Sequence, residues 1–153
     1  MKKFIQFCLA AVVLVAFAAC EKKSEVDPRD AFVGAYTYVA KGSVDFISGI
    51  TNYSAPLNNQ GTFTISKSGD GNKVVIEGWN DPINATVSGN QLTLEPNEYE
   101  TTYREIDLQL SFSYGTATLA DNILTWETEV SVCRLGGFAA TGNGTVSMVA
   151  TKN

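Results

Sequence analysis

Histidine is absent from this chain of 153 residues, and cysteine occurs only three times. Without histidine, the commonest general base, the Ser-His and Cys-His nucleophile pairs and most zinc sites are excluded. An amphipathic helical pattern is also missing, and with it a glycine-rich phosphate loop that opens a helix. The sequence therefore predicts no catalytic residue, no metal site and no cofactor.

Basic residues are fewer than acidic ones in this chain. The chain has 11 lysines and arginines against 16 acids, a formal net charge of −5. Nucleic-acid binding depends on basic side chains that neutralise phosphates, so this composition argues against a nucleic-acid partner. The acids are spread along the chain, which is typical of solvated faces rather than of one binding patch.

Two local groups of polar residues suggest chemistry at first sight. Glu105 with Asp107, and Glu127 with Glu129, resemble the carboxylate pairs of glycosidases, but same-parity acids are also what antiparallel strands present to water. Residues 70–72 (Asp-Gly-Asn) lack the alternating acids and closing glutamate of a calcium loop. We interpret the acids as the wet faces of strands and residues 70–72 as a turn.

The N-terminus has the features of a bacterial lipoprotein signal. Met1-Lys2-Lys3 precede an uncharged stretch over residues 4–19, and small residues lead to Cys20. We predict cleavage that removes residues 1–19 and a fatty-acylated, palmitate-type anchor on Cys20. The competing interpretation is an uncleaved anchor helix, but a span needs about 20 apolar residues. Both interpretations leave the rest of the chain outside the cytoplasm.

Domain boundaries follow from this processing. Cys8 leaves with the signal and Cys20 carries the lipid, so Cys133 has no intrachain disulfide partner and is expected to be a small buried or strand-end residue. Residues 20–30 are polar and form the predicted tether. Within residues 28–32, Pro28 favours one short helical turn, and residues 31–153 form the folded domain.

Alternating hydrophobicity and strand-forming residues predict nine strands, at residues 32–44, 61–66, 73–79, 83–88, 92–94, 105–114, 117–119, 124–132 and 146–150. The clearest run is residues 105–114, where Ile106, Leu108, Leu110, Phe112 and Tyr114 share one face. Residues 45–60 contain glycine, proline and asparagines, so they are predicted to be an irregular loop. Short strands joined by tight turns predict an all-β, single antiparallel up-and-down barrel or barrel-like sandwich of about 8–9 strands.

Three segments carry a resemblance to a known family. Residues 32–36 contain Gly34-Ala35-Tyr36, residues 87–92 form a Val-Ser-Gly-Asn-Gln-Leu hairpin, and residues 144–152 form a terminal strand. Over residues 27–152 the chain resembles the lipocalin-like, or calycin-like, lipoproteins of Bacteroidetes-type bacteria. The first strand of lipocalins has a Gly-x-Trp motif whose aromatic ring plugs the closed end of the barrel. Here Tyr36 replaces that tryptophan.

The resemblance implies a lipocalin-like barrel at the outer membrane and brings no catalytic residue. Surface-exposed lipoproteins of such bacteria carry an acidic cluster directly after the lipidated cysteine. In this chain Glu21 is followed by Lys22 and Lys23, which favours the periplasmic face of the outer membrane over the cell surface.

Function is predicted from the barrel and the anchor. We expect a non-catalytic envelope lipoprotein that binds a small apolar or amphipathic ligand through Tyr36, Tyr53, Trp79 and Trp126, since such side chains combine apolar area with a polar tip. The alternative is an interaction or structural lipoprotein whose loops contact an envelope partner. Its support is the large apolar inward set, which favours a filled interior; the set is Ile106, Leu108, Leu110, Phe112, Leu124, Trp126 and Val130.

Overall fold

The computed structural model describes residues 26–69, 71–79, 81–113 and 115–153, which are mostly β-strand. The predicted signal, Cys20 and Tyr114 lie outside the described residues. A 3-10 helix at Pro28–Ala31 confirms the predicted helical turn. The strands that follow are β1 (Gly34–Ser48), β2 (Thr51–Pro56), β3 (Asn59–Lys67), β4 (Lys73–Glu77), β5 (Ile83–Ser88), β6 (Gln91–Leu94), β7 (Asn97–Tyr103), β8 (Ile106–Phe112), β9 (Gly115–Ala120), β10 (Ile123–Leu135), β11 (Phe138–Ala139) and β12 (Gly142–Lys152).

Eight of these strands close into a ring. The hydrogen-bonded order is β1-β3-β4-β5-β6-β9-β10-β12, and β12 pairs back to β1. The ring strands have the same order in space as along the chain, with β2, β7, β8 and β11 inserted between them. Every pairing in the ring is antiparallel. The predicted all-β up-and-down barrel is thereby confirmed.

Three barrel strands continue beyond the ring and carry a second layer of pairing. β1 pairs β3 through Gly34–Ala40 and then β2 through Ser43–Ser48. β10 pairs β9 in its first half and β8 in its second half, and β7 adds to β8. The resulting sheet, β2-β1-β12-β10-β8-β7 with β11 beside β10, is called the distal extension below. Its two edge strands are β2 and β7.

The distal extension corrects two predictions. Residues 45–60 are not an irregular loop, because β1 and β2 pair through them around a turn in which Gly49 has φ 63°. β8 was predicted correctly as a strand with one apolar face, but it lies outside the ring. Four members of the predicted inward set, Ile106, Leu108, Leu110 and Phe112, therefore belong to the extension and do not fill the barrel.

A close approach of β1 and β12 marks the base of the extension. Gly42 lies opposite Val146 and Gly144 lies opposite Val44. A Cβ atom on Gly144 would collide with the carbonyl oxygen of Ser43, and a Cβ on Gly42 would collide with that of Thr145. Only glycine lets the two backbones come this close.

The closed end of the barrel lies where the chain enters β1. The antiparallel order places the helical turn and the turns after β3, β5 and β9 at this end. Phe32 and Tyr36 are fully buried here, and the Tyr36 hydroxyl donates a 2.7 Å hydrogen bond to the carbonyl oxygen of Phe32. Lys67 joins the helical turn to β3 through contacts of 2.9 Å to Asp27 and 2.6 Å to Asp30.

Candidate functional site

A pocket of about 430 Å³ occupies the other, open end of the barrel. Its inner wall comes from the parts of β1, β10 and β12 nearest the open end, including Ala40, Thr128 and Val146. Its outer wall comes from the β2–β3, β4–β5 and β6–β7 connections, from β7 and from the end of β8. The volume lies within the usual range for small-molecule sites, about 300–1,000 Å³.

Side-chain size explains why the space lies at this end. Near the open end, inward positions of the barrel hold small residues such as Ala40 and Gly115. Nearer the closed end, the inward residues Phe63 and Leu124 are large and almost fully buried. A barrel of about eight strands has just enough interior for side chains to fill, so small inward residues leave room.

Aromatic rings form the floor of the pocket. Phe63 stacks on Tyr36 from above, with ring centroids 5.2 Å apart. Trp79 lies 5.1 Å from Phe63, and Trp126 lies 6.2 Å from it. The two tryptophans meet edge to face at 6.0 Å, and Tyr38 meets Trp79 at 5.9 Å. This geometry is the arrangement that aromatic quadrupoles favour.

Gly78 sets the position of Trp79. β4 ends at Glu77, and Gly78 has φ 124°, a conformation that residues with a Cβ rarely adopt. A Cβ at this position would lie 2.8 Å from the Cα of Phe63 and from the carbonyl oxygen of Thr62. The glycine therefore lets the chain fold inward so that the half-buried Trp79 contacts Phe63.

Thr128 introduces a polar group into the pocket wall. It lies on β10 at the break between β8 and β9, and is the one buried polar residue among those described. Its hydroxyl lies 3.2 Å from the carbonyl oxygen of Ser113 and 3.3 Å from that of Glu129, to either of which it can donate. The hydroxyl oxygen can also accept a hydrogen bond, so it offers a ligand an acceptor inside the barrel.

The rim of the pocket is more polar than its floor. Asn58 lies between β2 and β3, and Asn59 is the first residue of β3; Glu95 lies between β6 and β7, and Asn97 is the first residue of β7. Asn58, Asn59 and Glu95 are exposed and Asn97 is half-buried. An apolar floor under a polar rim is suited to a molecule with one apolar end and one polar end.

The structure brings two of the four predicted ligand-binding residues together. Trp79 and Trp126 both line the pocket. Tyr36 lies beneath Phe63 at the closed end, where burial raises the pKa of its phenol to about 12. Tyr53 lines a second, more open depression on the distal extension, where it stacks on Phe46 at 5.4 Å.

Several lining residues were not singled out from the sequence. Thr128 occupies an inward parity position between Trp126 and Val130, and that alternation is the signal that could have found it. Leu57, Tyr99 and Thr101 lie on segments whose role depends on the extension. Their sequence pattern alone does not indicate a pocket.

The remaining polar candidates lie elsewhere. Glu127 and Glu129 are exposed on the outer face of β10, and Asn72 donates a 2.9 Å hydrogen bond to the carbonyl oxygen of Val87. Cys133 is half-buried at a register shift of β10 against β8. Among the described residues no three acids or cysteines come together as a metal site.

Comparisons with known proteins do not assign the chain to a family. No protein-family model matches the chain, and no curated protein matches it. One solved structure, the ywiB protein from Bacillus subtilis, aligns over 78% of this chain and 92% of its own, with 10% identity and a TM-score of 0.34. So low a score carries no argument, and the barrel assignment rests on the strand pairing. In the described part of the chain, no helix has the length and apolar character needed to cross a bilayer.

Proposed function

We propose that this protein is a non-catalytic, lipocalin-like lipoprotein of the cell envelope that binds a small apolar or amphipathic molecule in the open end of its barrel. The observation that carries the proposal is the 430 Å³ pocket over an aromatic floor. Its support from the sequence is the lipoprotein-type leader, which ends at Cys20.

Intrinsic fluorescence offers a direct test, because the chain has two tryptophans and both line the pocket. All the described strands lie within residues 34–152, so the chain from residue 21 onward contains the whole barrel. We expect octanol to shift the tryptophan emission of this chain with saturation at one site. Octanol that leaves the emission unchanged would contradict ligand binding.

A matched pair of variants on β1 makes the test specific. Ala40→Leu places extra volume in the pocket and should weaken octanol binding at least about tenfold, since the ligand and the new side chain compete for one space. Val39→Leu adds volume on the outer face of the same strand, where Val39 is exposed, and should leave binding unchanged. Equal effects of the two variants would show that octanol binds outside the barrel.

The membrane anchor has its own test. In a bacterium with an outer membrane, we expect metabolically supplied labelled palmitate to mark the full-length chain, and the label to disappear in Cys20→Ala. Fractionation should place the wild-type protein in the outer membrane, and protease added to intact cells should leave it uncut if it faces the periplasm. An unlabelled wild-type protein would overturn the anchor.

A second candidate function is contact with an envelope partner. Large apolar side chains are exposed on hairpins of the distal extension, at Ile47 and Ile50 near the β1–β2 turn and at Phe138 after β10. These hairpins lie at the end of the molecule opposite the helical turn at Pro28–Ala31. If they bind a partner, Ile50→Ser with Phe138→Ser should abolish co-purification from native membranes, whereas Ala40→Leu should not.

A further inference from the structure

The pocket has a marked charge asymmetry. Among the described lining residues, Glu95 is the only side chain with a full charge at neutral pH, and no lysine or arginine lines the pocket. The chain also contains no histidine. A ligand with an anionic end would therefore find no cationic partner in the pocket and would meet a carboxylate at its rim.

The described basic residues are placed away from the pocket. Lys67 and Arg29 belong to the closed end, where both contact Asp27. Lys152 donates to the carbonyl oxygen of Ala31 at that same end. Lys41 is exposed on the outer side of β1, and Arg104 lies over the ring of Tyr103 at the turn between β7 and β8. The other two described basic residues, Lys73 at the start of β4 and Arg134 near the end of β10, are exposed and do not line the pocket.

The free-energy cost of removing an ionic group from water lets this charge asymmetry discriminate between ligands with differently charged ends. An anion that leaves water without a cationic partner keeps most of its desolvation penalty. The side-chain amides of Asn58, Asn59 and Asn97 can accept a hydrogen bond from a hydroxyl or ammonium group and can also donate one to a carboxylate, so they do not separate these ligands. Glu95 does separate them, because its carboxylate attracts an ammonium group and repels an anion.

We propose that the pocket selects neutral and cationic amphiphiles over anionic ones, with the apolar end on the tryptophan floor and the polar end beside Glu95. This inference rests on the proposed ligand-binding function and specifies its ligand class. Free fatty acids and other singly anionic lipids are on this account poor ligands, whereas alcohols and amines of the same chain length are good ones.

Three probes that differ only in their polar end test the inference on the chain from residue 21 onward. Octanol, octylamine and octanoate are titrated at pH 7 and low salt, with tryptophan emission as the readout. We expect octylamine and octanol to bind and octanoate to bind about tenfold or more weakly than octanol. Raising the salt concentration should narrow the gap between octylamine and octanoate.

Glu95→Gln removes the rim charge at nearly constant size. We expect it to weaken octylamine binding roughly fivefold and to strengthen octanoate binding, with a smaller change for the uncharged octanol than for either ion. Glu100→Gln is the matched control, since Glu100 is exposed on the outer face of neighbouring β7. The control should change none of the three affinities.

The possible failures are distinguishable. If octanoate binds wild type as tightly as octanol does, charge selection is wrong while the ligand-binding function stands. If Glu95→Gln and Glu100→Gln have the same effect, Glu95 has no specific role at the rim. If none of the three probes binds, the proposed function and this inference fail together.

Discussion

The two ends of the barrel are built from the same strands yet differ in what their inward side chains do. At the closed end Tyr36, Phe63 and Leu124 are almost fully buried, and the rings of Tyr36 and Phe63 stack on each other. At the open end Ala40 and Gly115 leave a space of about 430 Å³ that reaches the surface. Apart from Thr128 in the pocket wall, the buried inward residues are apolar at both ends, so the size of the inward residue is the main difference between core and pocket.

The largest expected effect contrasts one core residue with one pocket residue. Phe63→Ala removes the ring that contacts Tyr36, Trp79 and Trp126 and should lower the free energy of unfolding by about 3–5 kcal/mol. Met148→Ala, in the pocket wall where Met148 is only half-buried, should cost less than half of that. Urea denaturation measures both, and equal losses would mean that the two ends are packed alike.

Enlarging a side chain should lower the free energy of unfolding in the core but hardly change it in the pocket. Ala150 is fully buried on β12 and is absent from the pocket wall, so Ala150→Leu should overpack the core and cost about 3 kcal/mol. Ala40→Leu extends into existing space and should change the free energy of unfolding by less than about 1 kcal/mol. A cost for Ala40→Leu as large as that for Ala150→Leu would show that the open end has no room.

Alkaline pH tests the closed end through the buried phenol of Tyr36. Burial raises the pKa of Tyr36 from 10.0 to about 12, so the unfolded chain loses this proton first as pH rises. The stabilisation is complete below pH 10 and is lost between pH 10 and 12, with a magnitude of about 3 kcal/mol.

Tyr36→Phe separates this effect from general alkaline denaturation. It should cost about 1 kcal/mol below pH 10, because the hydrogen bond to Phe32 is lost. Between pH 10 and 12 the difference from wild type should shrink and then reverse. Parallel pH profiles for the two proteins, measured by urea denaturation, would contradict the assignment.

The smallest expected effect concerns the ion pairs of Lys67 with Asp27 and Asp30, which join the helical turn to β3. Hydrogen bonds from Arg29 and then from Lys67 hold the pKa of Asp27 below its usual range, while Asp30 and then Asp27 raise the pKa of Lys67. Lys67→Met should leave global unfolding nearly unchanged, because exposed ion pairs contribute little. It should speed hydrogen exchange at the amides of Phe32 and Val33, which donate to the carbonyl oxygen of Arg29, whereas Lys73→Met should not.

The strand faces could be predicted from the sequence because alternation is a local property. β5 and β12 bury the residues that their patterns indicate, and the two-residue turn after β9 uses Asp121 and Asn122, both at positive φ, as expected for residues that tolerate that conformation. The nine predicted strands include all eight that close the ring.

The distal extension could not be predicted in the same way. β8 and β9 carry similar apolar alternation, yet β9 pairs with the first half of β10 and joins the ring, while β8 pairs with the second half and lies beyond it. β7 has half-buried residues on one face and exposed ones on the other, a weak signal in which Asn97 and Thr101 hold inward positions. The pocket wall depends on both of these non-local pairings, so its outer half was missed.

Xenon binding tests the central contrast most directly. A crystal of the chain from residue 21 onward, pressurised with xenon, should show the gas in the space bounded by Ala40, Trp126 and Val146, since apolar cavities take up xenon. We expect none between Tyr36 and Phe63, whose rings are stacked 5.2 Å apart. Electron density that fills the open end with side chains, with no xenon above Trp126, would contradict this account.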